Sequence, residues 1–185
     1  IVGCGELEAP LKKMIYDLRK LHKDIRTTIK TSNDNIESLL EIFQDQTSCF
    51  VLGKDMGESV AREAALKIKE ISYIHAEGYS TSSLKHGPFA LLKKDFPVII
   101  LAPENKWYAK SENAYEEIKS RHASIVFITD KPQQNKENVI YIPNNETFAD
   151  LLCIIPMQLL AYHLSVSKNI NPDMPRNLAK VVTLE

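Results

Sequence analysis

Four short apolar runs constrain this chain more than any other feature: CFVLG at 49–53, PVIILAP at 97–103, SIVFITD at 124–130 and VIYIP at 139–143. They are rich in β-branched residues and do not alternate with polar ones, the mark of strands covered on both faces. Helical spacing fills the intervals from about Glu58 to Ile74, from Lys106 to about His122, and from about Glu146 to Ser167. In the last of these Pro156 is placed to kink the helix. Strands interleaved with helices predict an α/β fold, a doubly wound and mostly parallel sheet flanked by helices. Ahead of it, Leu11–Ile29 and Asn35–Phe43 read as amphipathic helices, with Leu11, Met14, Ile15, Leu18 and Leu21 at helical spacing. Ligands in such sheets sit beyond the carboxyl ends of the strands. That directs attention to the loops after Leu52, Leu101, Ile128 and Ile142, and to the segment from Glu77 to Leu92.

Composition narrows the function classes. A length of 185 residues suits one domain with short extensions. The formal net charge of −1, without a long basic run, gives no electrostatic support for nucleic-acid binding. The most apolar stretch, Leu151–Met157, is too short to span a bilayer, so no membrane role is expected. No signal-peptide pattern opens the chain. Cys4, Cys49 and Cys153 stand far apart, which argues against a disulfide framework and a zinc site and fits a reducing cytoplasm. Cys4 precedes a glycine but is not residue 1, so its peptide-bonded amine rules out an N-terminal-cysteine amidase.

The first long helix carries the densest chemistry. In EAALKIKEISYIHAEG, Glu63, Lys67 and Glu70 are spaced i, i+4 and i+7 and share one side. A solvated stripe of this kind is worth about 0.3–0.5 kcal/mol per pair. Projected around the helix, however, the three lie in an arc bounded by Leu66 and Val60, while Arg62, Lys69 and Tyr73 mark the solvated side. A carboxylate–ammonium–carboxylate row among apolar neighbours is expected to be partly desolvated and suited to proton transfer. The spacing alone leaves an ion network equally open. His86 follows in SLKHGPFALL, where Gly87 and Pro88 limit the backbone; a single histidine is more often structural than catalytic. His75, His122 and His163 fall within helical patterns and read as packing or surface residues, and no histidine pair has metal-ligand spacing. STSS at 80–83 could bind phosphate, but an N-cap and turn is the simpler reading.

The end of the chain is unlike a fraying terminus. Pro172 and Pro175 limit its backbone, and Leu178, Val181, Val182 and Leu184 offer apolar side chains around Lys180. Such a tail is built to dock and to hold one amine in place.

Taken together, EAALKIKEISYIHAEG, LKHGPFALL, IPMQLLAYHLSV and PRNLAKVVTLE resemble the carboxyl-terminal half of the isomerase region of the glucosamine-6-phosphate synthases, the isomerising glutamine–fructose-6-phosphate aminotransferases. The resemblance runs from about residue 46 to 185, and the helical lead-in is similar to the connector between that family's two sugar-isomerase (SIS) domains. It implies a flavodoxin-like SIS domain over 46–170, a helical connector over 1–45 and a catalytic tail over 171–185. The implied reaction makes glucosamine 6-phosphate from fructose 6-phosphate and glutamine-derived ammonia, in the cytoplasm, without cofactor or metal. By the resemblance, Lys180 forms a Schiff base with the ketose, Glu70 moves the proton between C1 and C2, and Lys67 assists. Glu63 orients the lysines and, with Ala179 and Lys180, belongs to the substrate-binding set. His86 opens the sugar ring and comes from a neighbouring subunit, which implies a homodimer with shared sites.

Two departures stand out. Ser83 precedes LKHG where relatives usually carry glutamate. The glutaminase domain and the first SIS domain, which holds the sugar phosphate, have no counterpart in these residues, so the chain reads as a fragment or a lone half-enzyme. A phosphosugar-binding, regulatory or dimerisation module remains open, as does another SIS aldose–ketose isomerase. The lysine of the NLAK tail favours the synthase over that isomerase, since proton shuttling alone needs no Schiff base.

Overall fold

A computed structural model describes residues 4–178. Five strands, β1 (Ser48–Gly53), β2 (His75–Ser80), β3 (Pro97–Leu101), β4 (Ser124–Thr129) and β5 (Val139–Tyr141), form one sheet in the order β2-β1-β3-β4-β5. Every neighbouring pair is parallel. The helices are α1 (Cys4–Asp34), α2 (Ile36–Phe43), α3 (Met56–Ser72), α4 (Tyr108–Lys119) and α5 (Ala149–Ser167). This is the doubly wound α/β architecture that the apolar runs predict.

Side chains alternate across a strand, and the two faces of β1 feed different cores. Cys49 and Val51 pack with Leu39 of α2, Ile68 of α3 and Leu160 of α5. Phe50 and Leu52 join Ile118 of α4, Phe127 and Leu84 on the opposite face. Burying one such large apolar side chain is worth about 1.5–3 kcal/mol, which explains why the runs contain no polar position.

One strand departs from the sequence reading. The helical pattern continues to Ile74, yet α3 stops at Ser72 because Tyr73 turns left-handed at φ 59°. His75 therefore opens β2 instead of lying in a helix, and His122 sits past α4 at φ 58°. HAEGYS lacks the β-branched signature because β2 is an edge strand crossed closely by α3. A Cβ on Gly78 would lie 2.5 Å from Arg62 Cα, so no other residue fits without moving the helix.

The lead-in helix also differs from its amphipathic reading. α1 runs unbroken from Cys4, through Pro10 and past Ile29, to Asp34. Leu21 packs toward the core, but Leu11, Met14, Ile15 and Leu18 are exposed. Polar contacts fix α1 to the domain instead. The buried Asn145 side chain donates to Asp24 Oδ2 at 2.8 Å, the Thr147 hydroxyl donates to Asp17 Oδ2, and Lys13 bridges Asp17 and Glu146. The apolar stretch at Leu151–Met157 belongs to a 19-residue helix, α5, which passes through Pro156 and is long and apolar enough to cross a bilayer. Half of that helix is buried against the domain, where Leu152, Met157, Leu160 and Leu164 join the α3-side core.

Candidate functional site

The Glu63–Lys67–Glu70 row forms as its spacing predicts. Lys67 Nζ lies 2.9 Å from Glu70 Oε2 and 3.5 Å from Glu63 Oε1. It is less buried than expected: the side chains of Glu63, Lys67 and Glu70 are 51%, 35% and 30% exposed, and the bounding Leu66 is exposed as well. The hydrogen bond to Glu70, followed by the two carboxylate charges, holds the Lys67 amine above its ordinary pKa. Lys67 is thus an ammonium at neutral pH, able to steady negative charge but not to attack a carbonyl.

Beside Glu70 opens a cavity of about 560 Å³ whose other wall is the segment after α5, from Pro172 to Leu178. The buried Ser165 pins the start of this segment by donating to Ile170 O at 2.9 Å and accepting the Ile170 N–H on its own carbonyl. Asn171 Oδ1 then accepts the Asp173 N–H at 2.9 Å. Tyr73, assigned above to the solvated side, instead meets the tail: its hydroxyl accepts the Arg176 N–H at 2.9 Å. The tail is therefore laid along the end of α3 that carries Glu70. Ala179, Lys180, Val181, Val182 and Leu184 lie outside the described residues.

His86 is not brought to Glu70 within the chain. It is exposed on a 3₁₀ turn, Leu84–His86, that follows the carboxyl end of β2. Leu84 of the same turn is buried in the α4-side core, whereas α3 packs in the other, so the sheet stands between the two residues. STSS closes a turn, with Ser83 N–H donating to Ser80 O at 2.9 Å. Ser83 makes no side-chain cap hydrogen bond.

A second cleft, also about 560 Å³, lies where the strand order reverses, between the loops after β1 and β3. The loops after Leu52 and Leu101 are those to which the sequence directs attention, but spacing does not name the residues, because Lys54, Asp55, Trp107 and Asp150 meet there only through the fold. The Trp107 indole donates to Asp55 Oδ2 at 3.2 Å, and Lys54 Nζ donates to Ser82 Oγ at 3.0 Å. Burial, then the Asp55 charge, raises the pKa of Asp150. Asp55, Glu104, Glu146 and Asp150 outnumber Lys54 and Lys106, a poor counter-charge for a phosphate.

Comparison with known proteins bears on this fold. Residues 42–168 match the SIS domain family. The chain belongs to the SIS-domain family. Among similar proteins, one of Acanthamoeba polyphaga mimivirus, named "Probable glutamine--fructose-6-phosphate aminotransferase [isomerizing]", is 54% identical over 164 residues, covering 88% of this chain and 27% of that protein. The Vibrio cholerae glutamine–fructose-6-phosphate aminotransferase (isomerising) is 40% identical over 185 residues, covering 97% of this chain and 30% of that protein. This SIS-domain chain thus spans under a third of the length of either relative. A solved structure described as the C-terminal domain of glucosamine–fructose-6-phosphate aminotransferase from Francisella tularensis superposes with a TM-score of 0.74 at 32% identity, covering 82% of this chain and 45% of that one.

Proposed function

We propose that this SIS domain is the carboxyl-terminal half of the isomerase region of a cytoplasmic glutamine–fructose-6-phosphate aminotransferase, acting on fructose 6-phosphate to give glucosamine 6-phosphate. On this reading residues 1–45 connect to a preceding SIS domain, 46–170 form the second, and 171–185 are the catalytic tail. One observation carries it: Glu70, paired with Lys67, lines a cavity walled by the segment that leads into Lys180. Lys180 Nζ attacks the ketose carbonyl carbon, whose oxygen departs as water, leaving an imine; glutamine-derived ammonia then adds to the imine carbon and expels the Lys180 amine, so that the ketimine left for isomerisation carries the product's nitrogen. Glu70, a carboxylate hydrogen-bonded on one oxygen by Lys67, carries the proton between C1 and C2. The Lys67 ammonium steadies the charge that develops on the enolic intermediate. Glu63 orients Lys67 from one turn away and, with Ala179, completes the substrate-binding set. His86 opens the sugar ring from the other subunit of a homodimer. The sugar phosphate is held outside this chain, in keeping with the acidic balance of the switch-point cleft.

Borohydride trapping with fructose 6-phosphate in the full-length protein tests the reading. Label is expected on Lys180 and lost in Lys180→Arg. Because Lys67 is held protonated, with a pKa above the ordinary 10.5, neutral-pH label on Lys67 in that variant would overturn both the tail assignment and the role given to Lys67.

A further inference from the structure

We propose that Tyr73 is a positioning residue that clamps the tail at Arg176 and so sets the point from which Lys180 reaches the site. The inference rests on the reading of Lys180 given above. Two contacts to the same residue define the clamp. The Tyr73 hydroxyl accepts the Arg176 backbone N–H at 2.9 Å, and the Arg176 guanidinium lies 4.2 Å from the centroid of the Tyr73 ring.

The backbone at Tyr73 makes its residue type informative. It ends α3 in the left-handed region, φ 59° and ψ 17°, where glycine or asparagine is the usual choice. A tyrosine here gives up that ease, and what it gains is a ring and a hydroxyl directed at the tail. The same turn is braced from α5, since Lys168 Nζ donates to Ser72 O at 3.4 Å. Tyr73 is three residues beyond Glu70 in the chain, so the clamp ties the tail to the helix that carries the proposed proton carrier.

Chain length sets the size of the effect. With the clamp closed, Lys180 is four residues on from the fixed point at Arg176, a reach of at most about 14 Å. Without it, the nearest firm pin is Ile170, held by Ser165, and Lys180 is ten residues on. Effective concentration of a tethered group falls roughly as the −3/2 power of tether length, which gives about a fourfold loss. Misplacement of the amine by about 1 Å can extend that to roughly a hundredfold.

The test uses Tyr73→Phe, which keeps the ring, Tyr73→Leu, which removes both contacts, and Arg176→Ala. The readouts are amide hydrogen exchange over 172–178, the rate of borohydride-trapped imine with fructose 6-phosphate, and KM. Tyr73→Leu is expected to raise exchange in the tail and to slow trapping between about fourfold and a hundredfold, with KM unchanged. Tyr73→Phe should fall between it and the parent. If Tyr73→Leu melts the domain, Tyr73→Phe and Arg176→Ala carry the same comparison without disturbing the buried core. Unchanged exchange, or raised exchange with parental trapping, overturns the clamp. Label that persists in Lys180→Ala overturns the assignment of the lysine instead, while the exchange measurement still reports on the Tyr73 contact.

Discussion

At the scale of the residue, the partnership of Glu70 with Lys67 separates two roles that spacing alone leaves together. A carboxylate in a structural ion pair and a carboxylate that moves protons look alike in sequence. What distinguishes this one is its place on the wall of a cavity closed by the tail. With 30% of its side chain exposed and Lys67 on one oxygen, Glu70 has a free oxygen to offer a substrate carbon. In the full-length protein Glu70→Gln is expected to lose at least about a hundredfold in isomerisation, the lower range for removal of a general base. The melting temperature should barely change, because a pair this exposed contributes at most about 1 kcal/mol. A variant that melts early yet keeps its rate per folded molecule would return the row to the status of a salt-bridge stripe.

At the scale of the element, the strands that were easiest to read are those the core covers on both sides. β1, β3 and β4 announce themselves because two apolar faces leave no room for polar residues. β5 lies at an edge with Tyr141 exposed and is legible from its apolar run alone. β2, at the other edge, has no such run, because its Gly78 answers to α3 rather than to strand propensity. The cleft at the strand reversal was legible only as a set of loops, since residues as far apart as Lys54 and Asp150 form it. The hold of α1 escaped the hydrophobic pattern as well, because buried Asp17 and Asp24 dock it. Asp17→Ala removes the hydrogen bond from the Thr147 hydroxyl, which is exposed and can turn to water, so the change should cost about 0.5–1.5 kcal/mol in the docking of α1. The Thr147 hydrogen bond and the Lys13 pairing hold the Asp17 carboxyl below its ordinary pKa of 3.8. A carboxyl depressed in the folded state contributes fully above that ordinary value and loses its contribution as pH falls through the lower one. Hydrogen-exchange protection along α1, taken relative to the intrinsic amide rate at each pH, should therefore be flat from neutrality to about pH 4 and fall only below it. A fall near pH 6 would point to a histidine and not to this latch.

At the scale of the whole molecule, the decisive fact is that the sheet separates His86 from Glu70. Their two helical segments pack in different cores, so a site using both residues is most simply completed by a second copy of the chain. Two-fold dimers exchange equivalent surfaces, so each His86 would serve the partner's Glu70. This arrangement is testable by mixing two inactive variants of the full-length protein, His86→Ala and Glu70→Gln. Neither homodimer has an intact site. In the hybrid, the subunit that keeps Glu70 receives His86 from the other, and one of its two sites is whole. Random assortment makes half the dimers hybrid, so about a quarter of the parental activity should return on co-refolding. A site built within one subunit would give none, because every subunit in the mixture carries one lesion. Recovery near a quarter, rising with the extent of subunit exchange, would place His86 across the interface; no recovery from verified hybrid dimers would place it elsewhere.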